Sequence, residues 1–164
     1  MKAIQYVIGD ATKPIGKGLK LIIHCCNDLV PGAWGSGFVL AISKRWTKPE
    51  IAYRRWSIGK GKDCPPYSLG QVVFVPVEDD IVVVNMIGQH NTIHAGGDVP
   101  PIRYEAVDSC LQKVAEYAIK NNASVHGPRF GCGLAAGTWE EIEKLITKNL
   151  SAKDIEVIIY DLKK

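Results

Sequence analysis

The sequence predicts a three-layer α/β/α fold, with helices on both faces of a central mixed sheet of about six strands. One observation is the continuous apolar segment 20–26, which is typical of a strand covered on both faces. A second is the alternation of strand-like and helical segments along most of the chain. A third is a pair of strand-like segments separated only by Glu78, Asp79 and Asp80, which predicts a hairpin and hence an antiparallel strand. The chain has 164 residues, 46% of them hydrophobic, so we expect one substantial core and a single domain over residues 1–164.

The first predicted strand and the first two predicted helices follow from local patterns. Residues 3–8 alternate apolar and polar side chains, which predicts a half-buried strand. Residues 38–46 have helical periodicity, and residues 49–60 predict a second helix with Pro49 in its first turn, where proline is tolerated.

The hairpin lies in the middle of the chain. Its two strands are predicted at 71–77 and 81–87. Pro76 cannot donate a backbone hydrogen bond, so we expect the first of these strands to lie near a sheet edge or to end there. A loop is predicted over 88–100.

The last third of the chain returns to alternating helices and strands. Thr138 and Glu141 have the spacing of a capping box, which predicts that a helix starts at this point. Before it we expect a helix over 101–122, a short strand over 123–128 and a glycine loop over 129–137; the final strand is expected over 155–162.

The composition excludes several classes of protein. Lys plus Arg number 20 against 17 Asp plus Glu, and no basic stripe is interleaved with aromatic residues, so nothing indicates direct nucleic-acid binding. The N-terminal residues lack the apolar region of a signal peptide, and no apolar run is long enough to span a membrane. The five cysteines include no C-x-x-C spacing, which favours neither a disulfide framework nor a zinc site. We therefore expect a reduced, cytoplasmic protein without a metal or other cofactor and without a membrane partner.

Three stretches that carry candidate chemistry follow strands, where open α/β sheets bind their ligands. They are "GDAT" at 9–12, "CCNDLVPGAWGSGF" at 25–38 and "GPRFGCGLAAGT" at 127–138. The second and third are glycine loops that run into a helix N-terminus, an arrangement suited to phosphate. Two such loops facing each other could hold a diphosphate, with Asp10 accepting hydrogen bonds from a base amine and Asn27 binding a sugar hydroxyl.

Each of these features has a purely structural alternative. A glycine loop is also simply a tight turn, Asp10 is a residue type that caps turns, and Asn27 is a type that often satisfies local backbone. His24 and His126 lie in strand-like segments and are interpreted as hydrogen-bonded core residues. Trp34, between glycines in a loop, is poorly placed for a core role. The residue pattern alone therefore indicates a binder of a nucleotide-like diphosphate.

Taken together, these stretches resemble the macro domain family, which binds ADP-ribose, and the resemblance covers nearly the whole chain. "GDAT" matches the family's Gly-Asp-Ile-Thr, and "IIHCCND" stands where many members have Ile-Val-Asn-Ala-Ala-Asn. "GAWGSGF" matches the first phosphate loop and "PRFGCGLAAG" the second. The chain is most similar to the branch that includes ADP-ribose-1″-phosphate phosphatase, terminal ADP-ribose glycohydrolase and the macro domain of a chromatin remodeller amplified in liver cancer.

The resemblance implies a position for each part of ADP-ribose. Asp10 would accept hydrogen bonds from the adenine amino group, and Asn27 would contact the distal ribose. Trp34 would line one side of the pocket that holds this ribose. The adenine would also meet Gly9, Ala11 and Leu162; the diphosphate and the distal ribose would be wrapped by Ala33, Trp34, Gly35, Ser36, Gly37 and Phe38 and by Phe130, Gly131, Cys132, Gly133, Leu134 and Ala135.

The departures from the family pattern bear on activity. The terminal glycohydrolase pairs a lysine with an aspartate, but here the corresponding stretches are 88–90, Gly-Gln-His, and 133–136, Gly-Leu-Ala-Ala, so lysyl-intermediate chemistry is not expected. The asparagine-rich strand motif of other hydrolases is reduced to Asn27. What remains is a phosphatase acting on ADP-ribose-1″-phosphate, a reader of ADP-ribosylated macromolecules without turnover, or a de-ADP-ribosylating hydrolase that works without that pair. A binder of another nucleotide on a similar fold is a further alternative.

We expect weak phosphatase activity, with Asn27 and His90 as the catalytic candidates. The ordinary pKa of histidine, about 6.5, suits His90 to exchange protons at neutral pH, although a solvated loop histidine is the alternative. Cys132 is interpreted as a backbone donor rather than a nucleophile.

Overall fold

The computed structural model describes residues 1–92 and 99–163. Residues 93–98 of the predicted loop lie outside the described residues. The elements in chain order are β1 (Gln5–Ile8), β2 (Lys20–Asn27), α1 (Phe38–Arg45), α2 (Lys48–Ser57), β3 (Val72–Glu78), β4 (Ile81–Gln89), α3 (Tyr104–Asn121), β5 (Ser124–Gly127), α4 (Trp139–Asn149), a 3-10 turn (Ser151–Lys153) and β6 (Val157–Asp161).

The six strands form one mixed sheet in the order β1-β6-β5-β2-β4-β3. Every neighbouring pair is parallel except β3 and β4, which are antiparallel. The predicted hairpin and the predicted mixed sheet are therefore confirmed. Strand β3 lies at the edge of the sheet, as Pro76 indicated.

Helices cover both faces of the sheet, which confirms the three-layer fold. Alternate residues of β2 point to opposite faces: Ile22 packs with α1 and α2, and Ile23 packs with α3 and α4. Both side chains are fully buried, and burial of each contributes roughly 2 kcal/mol. No helix in the described part of the chain is long and apolar enough to cross a membrane.

Strand β1 is shorter and more exposed than the alternation predicted. It begins at Gln5, and Tyr6 and Ile8 are both exposed. Among the described strands β1 pairs only with β6 and lies at the sheet edge, so no further strand there covers its outer side.

The start of α4 was predicted correctly, but its capping chemistry was not. Thr138 occupies the N-cap position without a side-chain capping hydrogen bond. Its backbone N–H instead donates to the Tyr104 hydroxyl at 3.1 Å, and Glu141 pairs with Lys144 at 3.2 Å. A partner from α3 thus replaces the predicted capping box.

Candidate functional site

A cleft opens between the two glycine loops at the carboxyl ends of β2, β4 and β5. It consists of two cavities, of about 210 and 300 Å³, that share Cys25, Ser36, Val39, Gln89 and Leu134 in their walls. Both predicted loops therefore meet in one place. The predicted residues that line it are Asn27, Ala33, Trp34, Gly35, Ser36, Gly37, Phe38, Phe130, Gly131, Gly133, Leu134 and Ala135.

At two positions of this cleft, neither packing nor backbone conformation requires a glycine. A Cβ atom added to Gly35 or Gly133 would meet no protein atom within 4 Å, and neither residue has a positive φ. By contrast, a Cβ on Gly32 would lie 2.5 Å from the Tyr53 ring. Gly32 is thus explained by packing, whereas Gly35 and Gly133 leave backbone open to the cleft.

Trp34 is a core residue, so the expectation that its loop position excludes a core role is wrong. The side chain is 5% exposed, and its Nε1 donates to Ser43 Oγ at 2.8 Å. Its ring packs edge-on against His24 and at a tilt against Tyr53, with centroid distances of 5.4 Å in each case. The glycine loop folds back onto α1 and α2, which sequence spacing does not reveal. Trp34 still lines the cleft, so its predicted contact with a distal ribose stays a prediction.

The Asn27 side chain organises the first glycine loop. Its Nδ2 donates to Ala33 O at 2.8 Å, and its Oδ1 accepts from the N–H groups of Leu29 and Ala33 and from the Tyr53 hydroxyl. The interpretation that Asn27 satisfies local backbone is therefore confirmed. Since Asn27 also lines the cleft, ligand contact is compatible with this role and stays a prediction.

Asp10 lies at the end of β1, outside the two cavities. Its Oδ1 accepts hydrogen bonds from both the N–H and the hydroxyl of Thr12, at 2.8 and 2.7 Å, which confirms the turn-capping interpretation. Partial burial raises the pKa of this carboxyl, but the Thr12 hydrogen bonds and nearby cations outweigh burial, and the net pKa is lowered. Asp10 is therefore an anion at neutral pH, and Oδ2 remains for a ligand.

The other residues predicted near adenine are less closely grouped. Ala11 is buried against Tyr160, and Phe38 packs on the same cluster, which links the Asp10 turn to the first glycine loop. A Cβ on Gly9 would make ordinary contact with Tyr160. Leu162 is 76% exposed and lines a separate open cavity that it shares with Arg129.

Arg129 is a site residue that the sequence patterns did not reveal. It lines both the cleft and the cavity of Leu162. Its guanidinium lies 4.9 Å from the Tyr6 ring centroid and 5.3 Å from that of Trp139, and its Nε donates to Asp161 Oδ1 at 2.7 Å. These contacts hold a cation in the cleft wall. The only sequence signal was its position inside the matched stretch "PRFGCGLAAG".

His24 and His126 are confirmed as buried, hydrogen-bonded core residues. His24 Nε2 lies 2.6 Å from Asn85 Oδ1, and His126 lies 2.7 Å from the hydroxyls of both Ser124 and Tyr160. Burial lowers the pKa of each imidazole to about 4. Both are therefore neutral at pH 7, although His24 also lines the cleft.

His90 lies beside the cleft and does not line either cavity. Strand β4 continues two residues further than predicted, to Gln89, which lines the cleft. His90 Nδ1 lies 2.8 Å from Asp28 Oδ2, and its side chain is 48% exposed. Asp28 Oδ1 also accepts from the Asn91 N–H at 2.8 Å. His90 is thus exposed, as the alternative interpretation expected, but a carboxylate orients it; Asp28 was not assigned from the sequence.

Cys132 lies in the second glycine loop outside both cavity walls. Its Sγ donates to Phe130 O at 3.4 Å, and burial raises the pKa of the thiol. A thiol of this kind is a poor nucleophile at neutral pH. Within residues 1–92 and 99–163, no group of three or more His, Cys, Asp and Glu side chains is placed to hold a metal ion.

Comparison with solved structures gives close matches over the full length of the fold. A protein of unknown function from Bacteroides thetaiotaomicron is 50% identical with a TM-score of 0.91, and the match covers 98% of this chain and 99% of that one. A macrodomain protein from Streptomyces coelicolor is 48% identical with a TM-score of 0.83, covering 97% of this chain and 99% of that one. No family model matches the chain.

Curated relatives are less similar to this chain in sequence. The mouse chromodomain-helicase-DNA-binding protein 1-like is 32% identical over 168 residues, which cover 96% of this chain. The chain spans only 18% of the length of that relative. The human protein named ADP-ribose glycohydrolase OARD1 is 32% identical over 60 residues, 36% of this chain and 40% of that protein.

Proposed function

The chain belongs to the macro domain family, and from this membership we propose that it binds ADP-ribose in the cleft between the two glycine loops. The observation that carries the proposal is the open space beside Gly35 and Gly133. No protein atom lies within 4 Å of the position that a Cβ would take at either residue, so this space is free for a ligand. The name of the human relative, an ADP-ribose glycohydrolase, supports the choice of ligand.

The cleft and the Asp10 turn at the end of β1 together offer a binding group for each chemical part of ADP-ribose. Gly37 and Phe38 line the cleft where α1 begins, and α1 has no side-chain cap. The Leu40 N–H donates to Gly37 O, which leaves the N–H groups of Phe38 and Val39 for a phosphate. The Arg129 cation lies on the same wall. Asn27 and Trp34 lie in the second cavity, where the distal ribose is expected, and Asp10 Oδ2 is left for the adenine amine.

An Asp10→Ala variant is expected to bind ADP-ribose about 5- to 150-fold more weakly, the loss of ~1–3 kcal/mol of hydrogen bonding to the base. Calorimetric titration measures this loss. Asp10→Asn distinguishes an effect on ligand binding from an effect on the turn. Its Oδ1 can still accept hydrogen bonds from Thr12, while an amide nitrogen replaces the Oδ2 that would accept from the base. We expect Asp10→Asn to keep the wild-type melting temperature and to bind as weakly as Asp10→Ala. Wild-type affinity in Asp10→Asn would remove the adenine contact from the proposal.

We also propose that the protein slowly hydrolyses ADP-ribose-1″-phosphate to ADP-ribose and phosphate. Water attacks phosphorus, the bond from phosphorus to the O1″ oxygen breaks, and His90 accepts one proton of the water. Solvent water protonates the departing O1″ oxygen, and His90 returns its proton to solvent, so that ADP-ribose and hydrogen phosphate are released. Positioning and charge stabilisation carry most of phosphoryl transfer, so few side chains are required. Support comes from the Asp28–His90 contact, because Nδ1–H donation to the carboxylate leaves the Nε2 lone pair as the proton acceptor. Asn91 Nδ2 lies 3.3 Å from Nε2 and must give up this contact when the water binds.

A reader of ADP-ribosylated macromolecules without turnover is the second candidate, and the composition of the cleft wall favours it. Among the described residues, the ionisable side chains in that wall are His24, Cys25, Cys26 and Arg129, with no carboxylate. Burial lowers the pKa of His24 to about 4 and raises the pKa of both thiols. None of these groups is poised to exchange protons at neutral pH. A de-ADP-ribosylating hydrolase would need another acid–base pair in place of the missing lysine and aspartate.

Phosphate release from ADP-ribose-1″-phosphate distinguishes these functions. His90→Ala is expected to slow release by about 10²-fold without changing the affinity for ADP-ribose. Asn27→Ala is expected to reduce both release and affinity, because the loop that it organises loosens. If the wild-type protein binds ADP-ribose and releases no phosphate, the reader function stands. If it releases phosphate and His90→Ala matches it, catalysis depends on loop geometry alone.

A further inference from the structure

We propose that a groove between α2 and the edge strand β3 binds an acidic, extended polypeptide segment. This α2–β3 groove lies apart from the ADP-ribose cleft, and the two share no lining residue. The proposal therefore does not depend on the function of the cleft. The groove is lined by Lys48, Ile51, Ala52, Arg55, Lys60, Gly61, Lys62, Cys64, Val73, Phe74, Val75 and Pro76.

The floor of the groove is apolar. Its volume is about 360 Å³, and Ile51, Ala52, Val73 and Val75 form much of its surface. Ile51 of α2 is 48% exposed. An apolar depression of this kind, surrounded by polar residues, is typical of an interaction site.

One wall of the groove is an open sheet edge. Strand β3 is outermost and pairs only with β4 among the described strands. Pro76 and the register irregularity between Pro76 and Glu78 protect the far end of this edge. Residues 72–75 contain no proline, so their outward backbone groups can pair with an added strand. The groove thus places an apolar surface beside backbone N–H and C=O groups that can pair with an added strand.

The rim of the groove determines the charge of the partner. Lys48, Arg55, Lys60 and Lys62 all lie on it, and each is exposed. No described carboxylate lies within 4.0 Å of any of these four cations, whereas nearby Glu50 is paired with Arg54 at 2.9 Å. Four unpaired cations around an apolar floor attract an acidic segment with apolar side chains.

Two other occupants fit the groove less well. Single-stranded nucleic acid needs aromatic faces for base stacking, but the one aromatic lining residue, Phe74, is already stacked on Tyr117 at 4.1 Å. A second copy of the chain would bring two cationic rims together at the edge. An acidic peptide meets both the charge and the backbone requirement.

A fluorescein-labelled hexapeptide of alternating Glu and Val residues tests the proposal through fluorescence anisotropy. We expect saturable binding that Lys60→Glu with Lys62→Glu weakens about tenfold or more. Lys17→Glu with Lys153→Glu makes the same change in net charge elsewhere and is expected to leave binding unchanged. Ile51→Ser, at an exposed position that tolerates substitution, is expected to weaken binding several-fold. Backbone amides at residues 72–75 should exchange more slowly with the peptide bound.

Four results would overturn the proposal. They are the absence of binding, an equal loss in both double-charge variants, displacement of the peptide by an oligodeoxythymidine, and a dimer in sedimentation that excludes the peptide. The third would assign the groove to nucleic acid, and the fourth to a second copy of the chain.

Discussion

A Gly133→Trp variant is expected to bind ADP-ribose at least about 100-fold more weakly than the wild-type protein, a loss of ~3 kcal/mol. Gly133 lines the cleft and a Cβ at this position meets no protein atom within 4 Å, so we expect the added indole to occupy space that the ligand needs. Since the added side chain displaces no protein atom near its Cβ, we expect the melting temperature to stay unchanged. Calorimetric titration and thermal denaturation of the same sample measure both quantities.

The matched control is Ala152→Trp, which adds an indole at an exposed position of the 3-10 turn. It should bind like the wild-type protein. Gly35→Trp should behave like Gly133→Trp, because Gly35 lines the second cavity with the same open surroundings. Tight binding by both glycine variants would show that the ligand does not lie between the two loops.

The free energy of unfolding is expected to fall by about 3 kcal/mol for each of His24 and His126 as pH is lowered from about 6.5 to about 4. In the unfolded chain each imidazole binds a proton near pH 6.5. In the folded protein burial lowers both pKa values to about 4. Between these values the unfolded state binds more protons, so stability rises with pH and is lost on acidification.

Urea unfolding at a series of pH values between 7 and 4.5 measures this slope. A His126→Gln variant is expected to be less stable at pH 7 and to lose about half of the pH dependence in this window. Carboxylates with lowered pKa values, such as Asp10 and Asp108, affect stability only at lower pH. A free energy of unfolding that is constant from pH 7 to 5 would contradict the burial of neutral imidazoles.

Much of the fold was predictable because its signals are local. The continuous apolar segment of β2 reflects burial on both faces, and Pro76 marks the sheet edge because it cannot donate to a ladder. What failed depends on partners distant in sequence. The Thr138 N–H donates to the Tyr104 hydroxyl instead of to the predicted capping box, and β1 is exposed because no described strand pairs with its outer side.

The candidate site was predictable to a similar extent. The two glycine loops meet in one cleft because both follow parallel strands of the same sheet. The core role of Trp34 could not be predicted, since it depends on the loop folding back over α2. Arg129 and the Asp28–His90 contact were missed because their partners come from other strands and loops.

Calorimetric titration of the wild-type protein with ADP-ribose is the direct test of whether the cleft between the two glycine loops binds this ligand. We expect saturable heat with one molecule bound per chain, together with a rise in melting temperature. The absence of both heat and thermal shift at millimolar ADP-ribose would contradict this expectation, most clearly if another diphosphate nucleotide bound the same sample.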